Sequence, residues 1–372
     1  MDFFRIFHLD NQNVLVYNRS TFKTFWITER DTVSVTLKDV ARQVNRSITT
    51  VSRALNDYED VSQETRDLVR RAAREMGYTP NVVAQRLQKR RADTLALILS
   101  PFGPGLSDPH FGEVLAGVGD EIARASFDLL ISIADPSTDE LEAYRHKVSG
   151  RRVDGALVVR TRCHDERVEF LLNSNMPFVA YGRVLDDWDY PYVDVNYAAG
   201  MCSVIEHFND LGHRRIAFVA GSPDFTFVHY QLEGFRQAMS AFGLPADEGL
   251  VVKADLTQKG GYSAAQTLLS QGDPPSAIVA SSDLMALGVM SAAQDQGLDV
   301  GRDIAVAGFD DIPLAETSHP TLTTVRQPAY RIGRRLGQML VAAACGEPLS
   351  ERHVLVEPSL IIRQSTDLDL WL

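Results

Sequence analysis

Four residues in one short segment, Ile48, Thr49, Ser52 and Arg53, are of the types that read base edges in a DNA groove. An arginine fork matches the two acceptors that guanine shows in the major groove, and an isoleucine can meet the methyl of thymine. Such residues work only if one helix presents them together. Thr36 precedes Asp39 by three, a capping-box spacing that starts a helix just ahead of Val40, Ala41 and Val44. Asn45-Arg46-Ser47 then breaks that helix, because Asn tolerates the left-handed turn and Ser47 caps the next helix. This second helix, Ile48 to Leu55, turns Val51, Ala54 and Leu55 toward a core and leaves the four polar and apolar readers free at its N-terminal side. A third helix is expected from Gln63 to Met76. It is capped by Ser62, stopped by Gly77, and carries Leu68, Val69, Ala72, Ala73 and Met76 on one face. Any two short amphipathic helices share part of this pattern, so the residues beyond the third helix matter.

Tyr78-Thr-Pro-Asn81 comes next, then Val82-Val-Ala-Gln-Arg-Leu87 and the basic run Lys89-Arg90-Arg91. Together with the helices, this stretch resembles the LacI/GalR family of repressors. The resemblance implies a three-helix DNA-binding headpiece and a hinge helix after Pro80-Asn81 that orders only on the operator. Leu87, with Ala84, would wedge into the minor groove there, and apolar wedges of that kind unstack and kink flexible base steps. It also implies base reading by Ile48 and Thr49, at the family's specificity positions, with Arg53 on guanine. Arg46, Thr50, Ser52, Asn56 and Ser62 are assigned to the DNA backbone. One departure is the turn pair, usually Gly-Val and here Asn45-Arg46, where the Arg46 stem can lie over the helix junction and its head reach a phosphate.

Charge obeys the same division. Thr36 to Arg91 holds twelve Lys or Arg against seven Asp or Glu, a net of +5, which leaves −17 for the rest of a chain whose total is −12. A basic module on an acidic body suits a DNA reader whose affinity falls steeply with salt. The 372 residues provide for an N-terminal extension (1–34), a headpiece (35–80), a hinge (81–92) and a two-lobed effector and dimerisation domain (93–372). Cys163, Cys202 and Cys345 are too scattered for a disulfide framework or a zinc site, which suggests a reducing cytoplasm and no metal. No run is long and apolar enough to span a membrane.

Past the hinge, short apolar runs alternate with helical patterns. TLALILS (94–100), LLISIA (129–134), DGALVV (154–159) and PFVAY (177–181) form one series. RIAFVAG (215–221), a strand near 250–253, SAIVAS (276–281) and IAVAGFDD (304–311) form a second with a helix near 232–242, while the first has helices near 111–126 and 139–148. Continuous apolar strands with helical crossovers mean parallel sheets covered on both faces, here as two doubly wound lobes. A ligand then binds between them, at the C-terminal ends of strands. The expected fold is therefore α/β, an all-α helix-turn-helix headpiece followed by a two-lobed doubly wound domain. The resemblance makes that domain similar to type I periplasmic binding proteins, with SDLMALGVMSAAQDQGLDVGRDIAVAGFDD (282–311) its most specific match.

Resemblance places Phe111 as an aromatic on a sugar face, and Ser282, Asp283 and Asp310 at or near the pocket. Asp283 can equally be a helix cap, and Phe111 can equally be core. Sugar binders of the family commonly have Arg three residues before the Gly of the next helix motif, where HYQLEGF has Gln231. Gln lacks the rigid donor fork, so Arg160 and Arg183, each at a strand end, are candidate substitutes, with surface ion pairs as their plain alternative. Arg183, Gln231, Phe225 and Phe227 together suggest a neutral saccharide such as an α-glucoside. The expected function is a repressor of carbohydrate-utilisation genes that binds a pseudo-palindromic operator as a homodimer. The expected ligand is a small saccharide, with no cofactor. Alternatives are an activator or corepressor-type member answering a purine or phosphosugar, and a saccharide-binding protein without DNA. An enzyme is disfavoured, because SPFGPGLSDPH after the first strand lacks GxGxxG spacing and no catalytic constellation is evident.

Residues 1–34 are aromatic, unpatterned and without a signal-peptide core, which suggests a misassigned start with Val33 as the initiator, or else an added strand or arm. Peptide mass spectrometry of the native N-terminus is expected to begin at or near Val33. Native peptides spanning Phe3 to Phe25 would overturn that expectation.

Overall fold

The computed structural model describes residues 35–79, 91–100, 107–135, 140–150, 152–245 and 247–367, and before them the backbone of three strands. Those strands, β1 (Phe4–Asp10), β2 (Asn13–Asn18) and β3 (Thr24–Thr28), pair antiparallel in the order β1-β2-β3. The chain divides into two compact units, residues 1–89 and 90–372. Ala84 and Leu87 lie outside the described residues.

In the first unit, α1 (Leu37–Gln43), α2 (Ile48–Leu55) and α3 (Gln63–Glu75) enclose a small core of Val40, Ala41, Val44, Val51, Ala54, Val61, Val69, Ala72 and Ala73. The local signals act as their chemistry dictates. Thr36 donates both its backbone N–H and its hydroxyl to Asp39 Oδ2, at 3.0 and 2.6 Å. Asn45 takes the left-handed φ of 49° that the turn requires. Ser47 Oγ accepts from the Thr50 N–H at 3.0 Å, and Gly77 ends the third helix region at φ 68°. One expectation fails. Leu68 is 41% exposed, because the arc of α3 that reaches the core is filled by Val69, Ala72 and Ala73.

The second unit has two six-stranded sheets. The first runs β14-β8-β7-β6-β4-β5 and is wholly parallel: β4 (Thr94–Leu99), β5 (Asp128–Ile133), β6 (Gly155–Val158), β7 (Phe178–Tyr181), β8 (Tyr192–Val195) and β14 (His353–Val356). The second runs β10-β9-β11-β12-β13-β15: β9 (Ile216–Ala220), β10 (Val251–Lys253), β11 (Ala277–Ala280), β12 (Ala305–Asp310), β13 (Thr323–Arg326) and an antiparallel β15 (Ser359–Ile361). Strands flanked on both sides are buried over most of their length, as parallel sheets require, with only terminal residues such as Tyr181, Asp310 and Arg326 reaching the surface. The edge strands are more open, β5 with Ile131 and Ile133 exposed and β14 with Leu355 exposed.

Helices α4 (Pro109–Arg124), α5 (Glu140–Ser149) and α6 (Glu166–Ser174) serve the first lobe. The second has α7 (Tyr197–Asp210), α8 (Thr226–Ala241), α9 (Gln258–Leu269), α10 (Asp283–Asp295) and the short α11 (Pro313–Thr317). The long α12 (Ala329–Cys345) returns to pack on α4 in the first lobe. The chain thus crosses between lobes three times, at 195–197, 326–329 and 356–359. Neither α7 nor α12 is among the helices expected from sequence. In α12 Gly333 and Gly337 share the buried face with Ile332, Leu336, Met339 and Leu340. Gly117 on α4 packs against this helix: a Cβ there would lie 2.3 Å from the Tyr330 carbonyl oxygen on α12.

Two neighbouring glycines on α4 therefore have opposite expected effects. Gly117→Ala drives a methyl into backbone and should cost about 1–3 kcal/mol, lowering the thermal midpoint by several degrees. Gly119 meets nothing within 4 Å, so Gly119→Ala should raise the midpoint, by up to about 1 kcal/mol of helix propensity. Thermal denaturation of the two variants checks the sign.

Candidate DNA-reading face and ligand cavity

On α2 the exposed N-terminal residue Ile48, itself 44% accessible, stands beside exposed Thr49 and Arg53. A shallow depression brings Thr49 and Arg53 together with Arg46, Thr50 and Ser62. The hydroxyl caps are already used locally: Ser47 Oγ lies 2.8 Å from Thr50 Oγ1, and Ser62 Oγ 2.9 Å from Thr65 Oγ1. In each pair one hydroxyl uses its single O–H, and the other keeps its own for a further acceptor. Asn56 closes α2 by donating Nδ2 to the Ser52 carbonyl at 2.8 Å, which leaves both residues half-buried. Arg53 is held by Asp60 at 2.7 Å and lies 5.0 Å over the Tyr58 ring. That tether was not legible as more than an acidic loop. Its one signal is an acid seven positions beyond an exposed arginine.

In the second unit a cavity of about 90 Å³ opens between the lobes at the C-terminal strand ends. It gathers Phe111, Arg160, Phe227, Gln231, Ser282 and Asp310 from the expected set. Two expected residues are elsewhere. Asp283 is fully buried behind the wall, where its two oxygens accept from the Thr324 hydroxyl at 2.5 Å and the Ile312 N–H at 2.9 Å. It ties the start of α10 to β13 and to the segment after β12, a structural use. Arg183 does not line the cavity either. Its Nε donates to Asp194 Oδ2 at 2.7 Å and its guanidinium stacks 4.2 Å from the Tyr230 ring centre. Asp194, its partner, does line the cavity.

A connected polar chain covers one wall. His110 Nε2 lies 3.1 Å from Tyr181 Oη, Tyr181 donates to Gln327 Oε1 at 3.3 Å, and Gln327 donates Nε2 to Asp310 Oδ1 at 2.8 Å. Burial lowers the His110 pKa, so the ring is neutral and can accept or donate. Burial also holds the Asp310 carboxyl well above the usual carboxylate range, reinforced by Asp108 and Asp283 and opposed by Arg160. Two of these residues sit in backbone regions that side chains rarely adopt, Arg160 at φ 51° and Asp310 at φ 113°. Such strain persists where surrounding structure enforces it, commonly at binding sites. Across the cavity Gly182 is required at φ 116°, because a Cβ would meet Thr161 Oγ1 at 2.2 Å.

The cation Arg160 is already engaged, its guanidinium 3.4 Å from Asp108 Oδ2, and Asp108 caps α4 through the N–H groups of His110 and Phe111. Gln231 is fully buried and donates Nε2 to the Ser281 carbonyl at 3.1 Å. A carbonyl can only accept, so the amide orientation is set and Oε1 faces away from it. That Oε1 is buried and finds no hydrogen-bond partner among the described residues. Polar lining residues that sequence did not single out, among them Asp108, His110, Tyr181, Asp194, Tyr197 and Gln327, come here from four separate segments of the chain. Among the described residues no cluster of His, Cys, Asp or Glu is placed to hold a metal, and no helix is long and apolar enough to cross a membrane.

Comparison with known proteins bears on both sites. Residues 36–81 match the model of bacterial regulatory proteins of the lacI family, and residues 205–366 match a periplasmic binding protein-like domain. The HTH-type transcriptional regulator AglR of Rhizobium meliloti is 35% identical over 337 residues, covering 89% of this chain and 94% of its own. The HTH-type transcriptional repressor CytR of Escherichia coli is 32% identical over 91% of this chain and 98% of its own. Among solved structures, a CelR–cellobiose complex is 33% identical at a TM-score of 0.70, covering 89% and 99% of the two chains. The lac repressor dimer bound to operator and an anti-inducer is 26% identical at 0.79, covering 90% and 99%.

Burial raises the Asp283 carboxyl to about 8. An acid whose folded pKa is raised stabilises fully below its unfolded value near 4, and that contribution is lost as pH rises toward 8. Asp283→Asn removes the titration. The thermal midpoint of the wild type should therefore fall relative to Asp283→Asn between pH 5 and pH 8. Parallel profiles would mean that Asp283 is ionised throughout.

Proposed function

Because this chain belongs to the LacI family of bacterial regulatory proteins, we propose that it represses carbohydrate-utilisation genes and is released from its operator by a neutral saccharide. The observation that carries the ligand reading is the cavity's surplus of hydrogen-bond acceptors. Gln231 Oε1 is unpartnered among the described residues, Asp194 lines the space, and Arg160 is occupied by Asp108. A polyhydroxylated ligand supplies the missing donors, and Phe111 and Phe227 offer apolar surface to a sugar ring. A phosphate would meet carboxylates and an arginine already paired, so the phosphosugar alternative is disfavoured. The CelR structure contains cellobiose, which supports a saccharide of that general kind here.

The DNA reading rests on the headpiece face and on the family. Ile48, Thr49 and Arg53 contact bases; Arg46, Thr50, Ser52, Asn56 and Ser62 contact the backbone. A homodimer, as in the lac repressor complex, presents two such faces to a pseudo-palindrome. Ligand and operator then oppose each other by the same factor in both directions.

Fluorescence anisotropy on labelled DNA from upstream of the chain's own and neighbouring genes tests both halves. Binding should be tight, salt-sensitive and weakened by one member of a neutral saccharide panel. Arg53→Ala should weaken specific binding roughly tenfold to a hundredfold and relax the preference for guanine at one position. Binding that only strengthens with ligand would replace the inducer reading with a corepressor.

A further inference from the structure

The two lobes are joined by more than the three crossings of the chain. Past β6 in the first lobe, Thr161 to Cys163 lies antiparallel to Asp224 to Thr226, which comes after β9 in the second lobe, with Arg162 bridging Phe225. The Cys163 N–H donates to the Asp224 carbonyl at 2.8 Å, and the Thr226 N–H donates to the Thr161 carbonyl at 3.0 Å. The Thr226 hydroxyl reaches that same carbonyl at 3.1 Å, and Cys163 Sγ donates to the Pro223 carbonyl at 3.3 Å. Thr161 and Thr226 are 3% and 1% exposed.

Position makes this contact more than a chance touch. The three crossings leave the sheets at β8 and β14 on one side and at β13 and β15 on the other, the same edge of each sheet. The bridge lies farther in, at β6 and β9. Tyr181 on β7 and Asp310 on β12, both lining the cavity, belong to strands between bridge and crossings. The cavity lining continues past the bridge to Phe111, after β4, and Leu256, after β10, so the bridge ties the lobes within the cleft itself.

We propose that the 161–163 and 224–226 segments form a latch that ties the two lobes and must release before they can part. The inference goes beyond the regulatory role above and does not depend on it. Closure costs the carbonyls of Thr161, Pro223 and Asp224 nothing, since each exchanges water for a protein donor. Local opening of such a contact is a separable step, cheaper than unfolding.

Thr226 permits a clean break. It is the first residue of α8, a position at which proline is tolerated because the N–H there has no partner within the helix. Phe225 before it has φ −77° and ψ 130°, the extended geometry that a following proline requires. Thr226→Pro thus removes both bonds to the Thr161 carbonyl and keeps the helix. Cys163 reports on the latch, because its half-buried thiol reacts only when the segment lifts away. Burial and the neighbouring Asp224 also push that thiol's pKa up, which slows it further. Cys202 on α7, half-buried in the second lobe, reports on general loosening, and exposed Cys345 is the unprotected reference.

The experiment is thiol alkylation of the full ligand-free chain, with the rate at each cysteine read by peptide mass spectrometry. In the wild type Cys163 should react far more slowly than Cys345. Thr226→Pro should accelerate Cys163 roughly tenfold or more while Cys202 holds its rate, and Thr226→Val, which removes only the hydroxyl bond, should give a smaller selective increase. Cys163 reacting as fast as Cys345 in the wild type overturns the latch, as does an unchanged Cys163 rate in folded Thr226→Pro. If Cys202 accelerates together with Cys163 in that variant, Thr226→Val decides: selective acceleration supports the latch and none overturns it.

Discussion

A carboxyl group taken out of water must be given something in exchange, and much of the second unit is arranged around that constraint at Asp310. Its backbone is strained, its neighbours Asp108 and Asp283 are carboxyl groups too, and its relief comes from Gln327 and from Arg160 at a distance. Gln327 lies on the second crossing between lobes, and Tyr181 and His110, which continue the chain of hydrogen bonds, belong to the first lobe. The polar network therefore spans the cleft. A ligand that rearranges it acts on both lobes at once, which is the physical requirement for converting occupancy into lobe movement.

The headpiece solves the opposite problem. Its core is nine small or branched apolar side chains, enough to fix three short helices and little more, so precision comes from caps. Asp39, Ser47 and Ser62 each satisfy an orphan N–H at a helix start, and Asn45 supplies the turn. Arg53 is oriented by Asp60 and Tyr58, an exposed arrangement worth little to stability. Its value lies in presenting a charged fork already desolvated on one face.

Sequence reading reached the parts of the molecule governed by local chemistry. Capping residues, the Asn turn and the apolar strands of both series stand where their spacing places them, within a residue or two. Phe111, Arg160, Phe227, Gln231, Ser282 and Asp310 meet in one cavity because strand ends in doubly wound lobes converge there. The features that stayed hidden depend on long-range pairing. Asp283 looked like a ligand residue or a cap, and only its bonds to Thr324 and Ile312 reveal a brace. Arg183 needed Asp194 and Tyr230 beside it to be read as a pair. Helix α12 has an apolar stripe of Ile332, Leu336, Met339 and Leu340, and what stayed hidden is the partner helix that comes close enough at Gly333 and Gly337 to exclude a Cβ. Leu68 shows the converse, an apolar residue just outside the arc that a three-helix core can cover.

The triple crossing also determines the order in which the protein can be made. Helix α12 and strand β14 belong to the first lobe, yet they come after nearly all of the second. A chain still emerging from the ribosome and ending before residue 329 has a first lobe with β8 as an open edge and with the Gly117 face of α4 uncovered. Vectorial folding, one lobe completed before the next begins, is thus closed to this topology. The two lobes must mature together, and the C-terminal segments join sheets that have waited for them since the first strands were synthesised.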